Sequence, residues 1–293
     1  MTRGGFVALA GRPNVGKSTF VNAVVGEKVA IVSDRPQTTR RAIRGVYRCG
    51  EAQVVLVDLP GVQRPRDALT TRMAQRVRHE LEGADAALLM LAADQGVGPG
   101  DRFIAKTLAG GDRPVTIAVN KVDRLSRSEL IAVLQQATEL EPRAEVFPIS
   151  ARTGAGVREL SEHLAALMPR GPFMFAADAS SDQPRELLLA ELIREAVIRR
   201  TFHELPHAVE VVVEELDDTR EALITVRALI WVESDSQKGI LIGSHGRMIK
   251  AIGTAARREL ERELAGHVHL ELMVRVRRDW RSDDALLDRL GIT

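Results

Sequence analysis

A glycine-rich run near the start of the chain has the residue types that bind phosphate. The run Gly11-Arg12-Pro13-Asn14-Val15-Gly16-Lys17-Ser18 follows the pattern G-x-x-x-x-G-K-S, and Thr19 comes next. In such a loop, backbone N–H groups surround phosphate oxygens, Lys17 reaches the β and γ oxygens, and the Ser18 hydroxyl ligates magnesium. We therefore predict a phosphate-binding loop, with an ordinary glycine turn as the alternative.

Three further strings each follow a short apolar stretch. They are Asp58-Leu59-Pro60-Gly61 with Val62 after it, Asn120-Lys121-Val122-Asp123, and Ser150-Ala151. Asp58 is expected to hold magnesium through water, and the Gly61 N–H to meet the γ-phosphate. Because open α/β sheets bind ligands at the carboxyl ends of their strands, all four strings are predicted to converge into one nucleotide pocket.

The second and third of these strings predict selection of guanine. Asp123 is expected to be a buried carboxylate that accepts hydrogen bonds from N1 and N2 of guanine, where adenine has no matching donors. The backbone of Ser150 and Ala151 is expected to donate to guanine O6. The expected ligands are therefore GTP or GDP with Mg²⁺.

A second glycine pattern lies in the last quarter of the chain. Gly243-Ser244-His245-Gly246 follows Ile242 and is flanked by Lys238, Arg247 and Lys250. The loop resembles that of the KH domain, in which G-x-x-G admits a nucleic-acid backbone and an apolar groove receives unpaired bases. The cations are expected to contact phosphates of single-stranded RNA. Helix capping by the two glycines is the alternative.

Other residues of this region have weaker patterns. The isoleucines Ile240, Ile242 and Ile249 are expected to line the groove or the core. The alternating charges of 257–263 predict a salt-bridged solvent face. Further candidate RNA contacts near the chain end are Arg275, Arg277, Arg278 and Arg281, around Trp280.

Taken together, the first strings resemble the translation-factor-related GTPases, and the form Gly-x-Pro-Asn-x-Gly-Lys-Ser resembles the Era subgroup. In the second half, the resemblance to this subgroup extends over 191–195, over Glu204-Leu205-Pro206-His207, over the G-x-x-G loop and over Trp280-Arg281. The match is therefore nearly full length. The stretch Phe175-Ala176-Ala177-Asp178 departs from the pattern, where relatives commonly have a proline and an acidic residue.

The resemblance implies several roles that the residue types alone do not. Pro36-Gln37-Thr38-Thr39-Arg40 stands where such GTPases have switch I, so Thr39, or else Thr38, is expected to complete the magnesium shell. Val62 stands where Ras-like enzymes have a water-orienting glutamine, which implies slow turnover. The residues implied to act in hydrolysis are Lys17, Ser18, Thr39, Asp58 and Gly61. Asn14 matches an asparagine that helps bind potassium in relatives.

The partners follow from the same resemblance. It implies binding to 16S ribosomal RNA near its 3′ end, and a role in maturation of the small (30S) ribosomal subunit. It also suggests peripheral contact with the membrane. We further expect a monomer.

Apolar runs alternate with amphipathic segments up to about residue 167. The apolar runs lie at 6–10, 54–57, 86–91, 115–119 and 146–149, and the amphipathic segments at 17–25, 69–81, 128–140 and 157–167. This pattern predicts an α/β fold with a doubly wound and mostly parallel sheet and with 43–47 as an additional edge strand, and the resemblance implies its P-loop GTPase type. Beyond it, the pattern predicts a smaller α+β domain that fits the type II KH form, with a helix at 186–200, strands at 208–214 and 222–232, a helix at 248–264 and a strand of alternating apolar residues at 268–277. We expect a GTPase domain over 1–170, a linker over 171–185 and a KH domain over 186–293, with one α/β barrel as the alternative.

Composition limits the possibilities further. The 293 residues are 45% hydrophobic and 28% charged, with a net charge of +1 and a single cysteine, Cys49. An internal disulfide is excluded, and the start of the chain has no signal-like apolar stretch, so a cytoplasmic protein is expected. Two alternatives remain open: a small-molecule kinase built on the same loop, and a GTP-binding scaffold without catalysis.

Overall fold

The computed structural model describes residues 1–35, 37–62, 65–202, 205–219 and 223–292. Pro36, Glu204 and Ala222, which belong to predicted features, lie outside the described residues. The chain divides into a first unit of Met1–Ala30, Thr39–Arg66 and Thr70–Asp182, and a second unit of Ile31–Thr38, Asp67–Leu69 and Gln183–Thr293. Within the described ranges, no helix is both long and apolar enough to cross a bilayer.

A six-stranded sheet forms the centre of the first unit. Its strands are β1 (Arg3–Ala10), β2 (Ile43–Cys49), β3 (Ala52–Asp58), β4 (Ala86–Ala92), β5 (Val115–Asn120) and β6 (Glu145–Pro148). They lie in the order β2-β3-β1-β4-β5-β6. The edge strand β2 pairs antiparallel with β3, and all other neighbours pair parallel. The predicted doubly wound sheet with its edge strand is confirmed.

Helices cover both faces of this sheet. They are α1 (Lys17–Val25), α2 (Ala68–Glu82), α3 (Pro99–Ala109), α4 (Arg127–Leu140) and α5 (Val157–Leu167). Successive strand residues point to opposite faces, so Leu88 packs in one core with residues of α1 and α5, and Leu89 in the other with residues of α2, α3 and α4. This double cover explains why every residue of β3 and β4 is buried.

The helix α3 is absent from the predicted pattern. Its start, Pro99-Gly100, has the composition of a turn, but proline is also well suited to the first helical position. Asp101 then accepts a hydrogen bond from the Gly98 N–H at 2.9 Å, which satisfies a donor at the helix start. The turn-like letters therefore mark a helix N-terminus here.

Residues 171–182, predicted as linker, pack within the first unit. The buried side chain of Gln53 accepts the backbone N–H groups of Met174 and Phe175 at 2.7 and 3.0 Å and donates to the Phe175 carbonyl at 2.9 Å. The Val46 N–H donates to the Ser180 carbonyl at 2.8 Å. These long-range bonds place the end of the first unit at Asp182 rather than at residue 170.

The second unit has a three-stranded sheet with helices packed on it. In chain order it contains α6 (Arg185–Ile198), α7 (Leu205–Ala208), β7 (Glu210–Asp217), β8 (Ile224–Val232), α8 (Asp235–Ile242), α9 (Arg247–Glu263), β9 (Val268–Val276) and α10 (Asp284–Arg289). The sheet order is β7-β8-β9, with β7 antiparallel and β9 parallel to β8. This is the predicted type II KH order.

Three local details of the second unit bear on the predictions. The predicted alternation of β9 is confirmed, since its apolar residues are the more buried ones and Met273 alone among them is exposed. The strand predicted from Ala208 begins instead at Glu210, because residues 205–208 form the short helix α7. The helix α8, which ends at the G-x-x-G loop, is absent from the predicted pattern.

Candidate functional site

The first candidate site begins where β1 ends. Residues 11–16 form a turn that leads directly into α1 at Lys17. Asn14 (φ +63°) and Gly16 (φ +102°) adopt positive φ, which asparagine and glycine tolerate best. A Cβ at position 16 would lie 2.2 Å from Asn120 Nδ2, so the close approach requires glycine. The predicted loop therefore precedes a helix N-terminus, where anions bind favourably.

Lys17 is buried beside this loop. Its Nζ lies 3.5 Å from the Gly11 carbonyl oxygen and 3.4 Å from that of Arg12. Burial lowers the pKa of Lys17, and the negative charge of Asp58 opposes this shift only in part. A phosphate group would supply the missing negative charge, so the ammonium is suited to bind one.

Three side-chain oxygens meet at the end of β3. The Ser18 hydroxyl donates to Asp58 Oδ2 at 2.6 Å, the Thr39 hydroxyl lies 3.3 Å from the same oxygen, and the two hydroxyls are 3.2 Å apart. Asp58 Oδ1 is buried and has no hydrogen-bond partner among the residues that the structure describes. Burial raises the pKa of Asp58, while Lys17 and the two hydroxyls lower it. An all-oxygen cluster of this kind fits Mg²⁺.

The geometry separates the two candidate threonines. The Thr38 hydroxyl donates to the Arg35 carbonyl at 2.6 Å, whereas Thr39 alone faces Ser18 and Asp58. Thr39 is therefore the better-placed ligand.

Gly61 packs directly against the phosphate-binding loop. A Cβ at this position would lie 2.8 Å from Pro13 Cγ and 3.0 Å from the Pro13 nitrogen, so the contact requires glycine. The next residue, Val62, is partly buried against the core that contains Leu59 and Val77. A valine side chain has no group that can orient a water molecule.

Asn120 joins two of the predicted strings. Its Nδ2 donates to the Val15 carbonyl at 2.8 Å, and its Oδ1 accepts the Ala151 N–H at 2.9 Å. The side chain is only 3% exposed, so these bonds satisfy buried backbone groups. The motif therefore also braces the pocket, a role that its sequence pattern does not indicate.

The turn after β6 contains Ser150 and Ala151, whose donation to guanine O6 stays a prediction. The Ser150 N–H donates to the Ala155 carbonyl at 2.8 Å, and the Ala151 N–H is bonded to Asn120. Both donors thus have acceptors within the protein, because the turn after β6 closes on itself.

Asp123 is exposed as a whole residue, but its side chain is only 16% exposed. Its Oδ1 accepts the Ser150 hydroxyl at 2.5 Å, and its Oδ2 pairs with Arg152 at 2.5 Å. The hydrogen bonds from Ser150 and Arg152 lower the pKa of Asp123, so its carboxylate is ionised near neutral pH. A carboxylate has about four lone-pair sites, so it can accept further donors beside these two.

Arg12 forms hydrogen bonds to a residue of α3 and to the segment just before this helix. Its Nε lies 2.9 Å from Asp101 Oδ1, a carboxylate that is fully buried, and its Nη2 donates to the Gly96 carbonyl at 3.2 Å. Because α3 is absent from the predicted pattern, this anchor of the phosphate-binding loop was beyond sequence reasoning. Of the other predicted pocket residues, Lys121 pairs with Asp94 at 3.4 Å.

The second candidate site surrounds the G-x-x-G loop. Gly243 ends α8 with φ +69°, and Gly246 precedes α9 with φ +74°. A Cβ on Gly243 would lie 2.8 Å from Met248 Cβ, whereas one on Gly246 would meet only Ile249 Cγ2, at 4.0 Å. Both glycines cap helices, as in the alternative, yet the open side at Gly246 also permits the close approach of a ligand backbone.

A groove of about 440 Å³ runs between α9 and β9. Its lining combines the cations Lys250 and Arg257 with apolar side chains that include Ile249 and Leu272. Arg257 also lies 3.8 Å from Glu261, so the predicted salt-bridged face is present but contributes one residue to the groove. On α8, Ile240 is 54% exposed and Ile242 36% exposed, so neither belongs to the core.

Trp280 and Arg281 near the chain end are engaged within the protein. Trp280 is fully buried, and its Nε1 donates to the Ala208 carbonyl at 3.0 Å, so its ring cannot stack on a base. Arg281 forms an ion pair with Asp67, and both side chains are largely buried. Of the four arginines predicted to contact RNA here, Arg281 is thus paired within the protein, whereas the other three are exposed: Arg275, Arg277 and Arg278.

Fold and sites together define a P-loop GTPase unit followed by a KH module. A family model described as a 50S ribosome-binding GTPase matches residues 6–121, and one described as a KH domain matches residues 204–281. The GTPase Era of Mycobacterium tuberculosis is 44% identical over 293 residues, with 98% of each chain covered. That of Lacticaseibacillus paracasei is 44% identical over 287 residues, with 98% of this chain and 96% of the other covered.

Solved structures agree with these matches. A crystal structure of Era in complex with MgGDPNP and nucleotides 1506–1542 of 16S ribosomal RNA has a TM-score of 0.96 at 34% identity, with 100% of both chains covered. A variant of Aquifex aeolicus Era bound to GDP and AlF4⁻ has a TM-score of 0.95, also at 34% identity and full coverage. The chain belongs to the Era family of GTPases.

Proposed function

We propose that this GTPase holds Mg²⁺ at Ser18, Thr39 and Asp58 and uses hydrolysis of GTP to GDP and phosphate to switch its KH module between RNA-binding states. The observation that carries the proposal is the meeting of two hydroxyls with the buried carboxylate of Asp58, whose Oδ1 is left without a partner in the described part of the chain. Such an oxygen set, next to a buried lysine, suits a metal-bound triphosphate.

The reaction then needs positioning and charge neutralisation more than covalent chemistry. The Lys17 ammonium and the Gly61 N–H stabilise negative charge on the phosphoryl oxygens, and Mg²⁺, when bound, adds to this stabilisation. Val62 provides neither a base nor a hydrogen bond to the attacking water. Intrinsic hydrolysis is therefore proposed to be slow.

Guanine is selected by Asn120 and Asp123. Asn120 holds the pocket together, and the ionised Asp123 accepts guanine N1–H and N2–H beside its bonds to Ser150 and Arg152. Adenine has no such pair of donors. The other residues predicted to bind the nucleotide belong to the same four sequence strings.

A potassium ion at Asn14 is proposed to supply the positive charge that an arginine finger supplies elsewhere. Asn14 adopts φ +63° within the phosphate-binding loop, a conformation that few other side chains tolerate. Hydrolysis should then be faster in potassium than in sodium at equal ionic strength. Equal rates in the two salts, or an Asn14→Asp variant with unchanged potassium dependence, contradict this role.

The KH module is proposed to bind single-stranded RNA in the groove between α9 and β9. Lys238, Arg247 and Lys250 would contact phosphates, and the open side of Gly246 would admit the backbone. Because a crystal structure of Era contains nucleotides 1506–1542 of 16S ribosomal RNA, we propose that segment as the ligand and the small (30S) subunit as the partner. A cytoplasmic location, peripheral membrane contact and a monomeric state belong to the same proposal.

Three experiments test this function. GTP should bind much more tightly than ATP to the purified protein; equal affinity would favour the kinase alternative, and absence of phosphate release with RNA and potassium present would favour the scaffold. Crosslinking to cellular RNA with GTP or GDP bound, followed by sequencing, should recover the 3′ end of 16S ribosomal RNA. Recovery of unrelated RNA in both states would contradict the ribosomal role.

A further inference from the structure

The segment Ile31–Thr38, which leads to Thr39, belongs to the second unit. Ile31 is buried in the same cluster as Leu189 and Ile193 of α6. Near the beginning of the segment, Glu195 Oε1 accepts the Val32 N–H at 3.1 Å. At its end, Arg194 Nη2 donates to the Thr38 carbonyl. Two adjacent residues of α6 therefore hold both ends of the segment through backbone atoms.

Arg194 is itself rigidly placed. It is fully buried, its Nε donates to Glu191 Oε1 at 3.1 Å, and it lies 4.0 Å from Glu210. Burial alone would lower the pKa of Arg194, but the carboxylates of Glu191 and Glu210 more than offset this and raise it. The guanidinium is thus permanently charged, and its planar fork bonds a carboxylate and a carbonyl together.

The bond to Thr38 acts on the next residue. The Thr38 carbonyl and the Thr39 N–H belong to one planar peptide unit, so a donor that orients the carbonyl also orients the start of Thr39. The Thr39 hydroxyl lies 3.2 Å from Ser18 Oγ and 3.3 Å from Asp58 Oδ2. A small rotation of this peptide would move the hydroxyl away from that cluster.

We propose that Arg194 is a positioning residue for GTP hydrolysis, because its guanidinium fixes the Thr38–Thr39 peptide and so presents the Thr39 hydroxyl to the metal of the triphosphate state. Arg194 acts only through Thr39. The inference rests on the proposed role of Thr39 as a magnesium ligand, and the experiment therefore includes Thr39→Ala.

The test compares the affinities of a non-hydrolysable GTP analogue with Mg²⁺ and of GDP. In Arg194→Gln the preference for the analogue over GDP should fall about tenfold, the effect of losing one charge-assisted hydrogen bond, while GDP affinity stays unchanged within about twofold. The magnesium concentration needed for analogue binding should rise. The matched control is Arg185→Gln on the same helix, whose guanidinium pairs with Asp218 at 2.8 Å and is 48% exposed; it should leave the preference unchanged.

Two further variants guard against a folding defect. Arg194→Lys keeps the buried charge but has no fork, and Arg194→Gln with Glu191→Gln removes both charges of the pair together. Every Arg194 variant that unfolds cooperatively on heating should show the reduced preference for the analogue over GDP. An unchanged preference in a folded Arg194 variant, or an equal loss for GDP and the analogue, overturns the inference.

The Thr39→Ala variant distinguishes a failure of the role of Arg194 from a failure of the proposed magnesium site. If it lowers the preference while folded Arg194 variants do not, only the role of Arg194 is wrong. If it too leaves the preference unchanged, the proposed magnesium site itself fails, and the inference with it. In the Thr39→Ala background, the additional Arg194→Gln change should have no further effect on the preference.

Discussion

Replacing Asn120 by alanine removes the amide that joins the phosphate-binding loop to the Ser150-Ala151 turn. The Val15 carbonyl loses its donor at 2.8 Å, and the Ala151 N–H loses its acceptor at 2.9 Å. Each buried polar group left unpaired costs about 1–3 kcal/mol, so the free energy of unfolding should fall by about 2–6 kcal/mol. A domain stable by about 5–15 kcal/mol remains mostly folded after such a loss unless both values lie at their unfavourable limits.

Gln53→Ala is the matched control for this change. Gln53 is also a buried amide, and it bonds the backbone of Met174 and Phe175 at 2.7–3.0 Å. It lies near the beginning of β3, whereas the pocket residue Asp58 lies at the end of the same strand. The two variants therefore lose similar bonds at opposite ends of the parallel strands.

Urea denaturation and titration with fluorescent GDP at low temperature distinguish the two effects. Both variants should lose stability, but only Asn120→Ala should lose GDP affinity, by about 30-fold if about 2 kcal/mol is needed to restore the order of the two loops. Equal losses of affinity would show that stability alone controls binding. Unchanged affinity in Asn120→Ala would refute the bracing role.

Three other variants test separate parts of the structure. Asp123→Asn should lower GTP affinity and shift the preference toward xanthine nucleotides, since the amide reverses one hydrogen-bonding partner; competition binding that still favours guanine contradicts the assignment. Lys250→Ala should weaken RNA binding and lower the slope of log affinity against log salt by about one, with GDP binding unchanged, whereas a merely solvated lysine would leave the slope as it was. Ser126→Ala, which breaks the capping box of α4, should lower the melting temperature by a few degrees at neutral pH. The hydrogen bonds from Ser126 lower the pKa of Glu129 in the folded protein. The melting-temperature difference between wild type and variant should therefore be present above the ordinary carboxyl pKa and shrink as the pH falls through the lowered pKa of Glu129. A difference independent of pH would exclude Glu129 as its source.

The local motifs were readable from sequence because their geometry is short-range. The phosphate-binding loop, the end of β3 at Asp58 and the G-x-x-G loop each depend on a few consecutive residues. Glycine at 16 and 243 is required by positive φ together with a close neighbour, and only residue type can signal such needs locally. The alternation of β9 was readable for the same reason, since side chains of a strand point to opposite faces with period two.

The bonds between these motifs were decided by tertiary structure alone. Asn120 meets Val15 across 105 residues of sequence, and Gln53 meets Phe175 across 122. The order of strands in the sheet brings such pairs together, and no pattern within either segment encodes its partner. For this reason the sequence placed 171–182 in a linker, whereas the structure packs that stretch in the first unit.

The sequence by itself thus determined the two fold types, the residues of the hydroxyl and carboxylate cluster at Asp58, and the loop of the KH module, because residue type and spacing specify each of these locally. Only the tertiary structure decided that Asp123 pairs with Arg152, that Trp280 is buried, and that Arg194 bonds the carbonyl of the peptide before Thr39. The physical reason is that burial and long-range hydrogen bonding belong to the packed chain, in which each group finds its partner only after the sheets have formed.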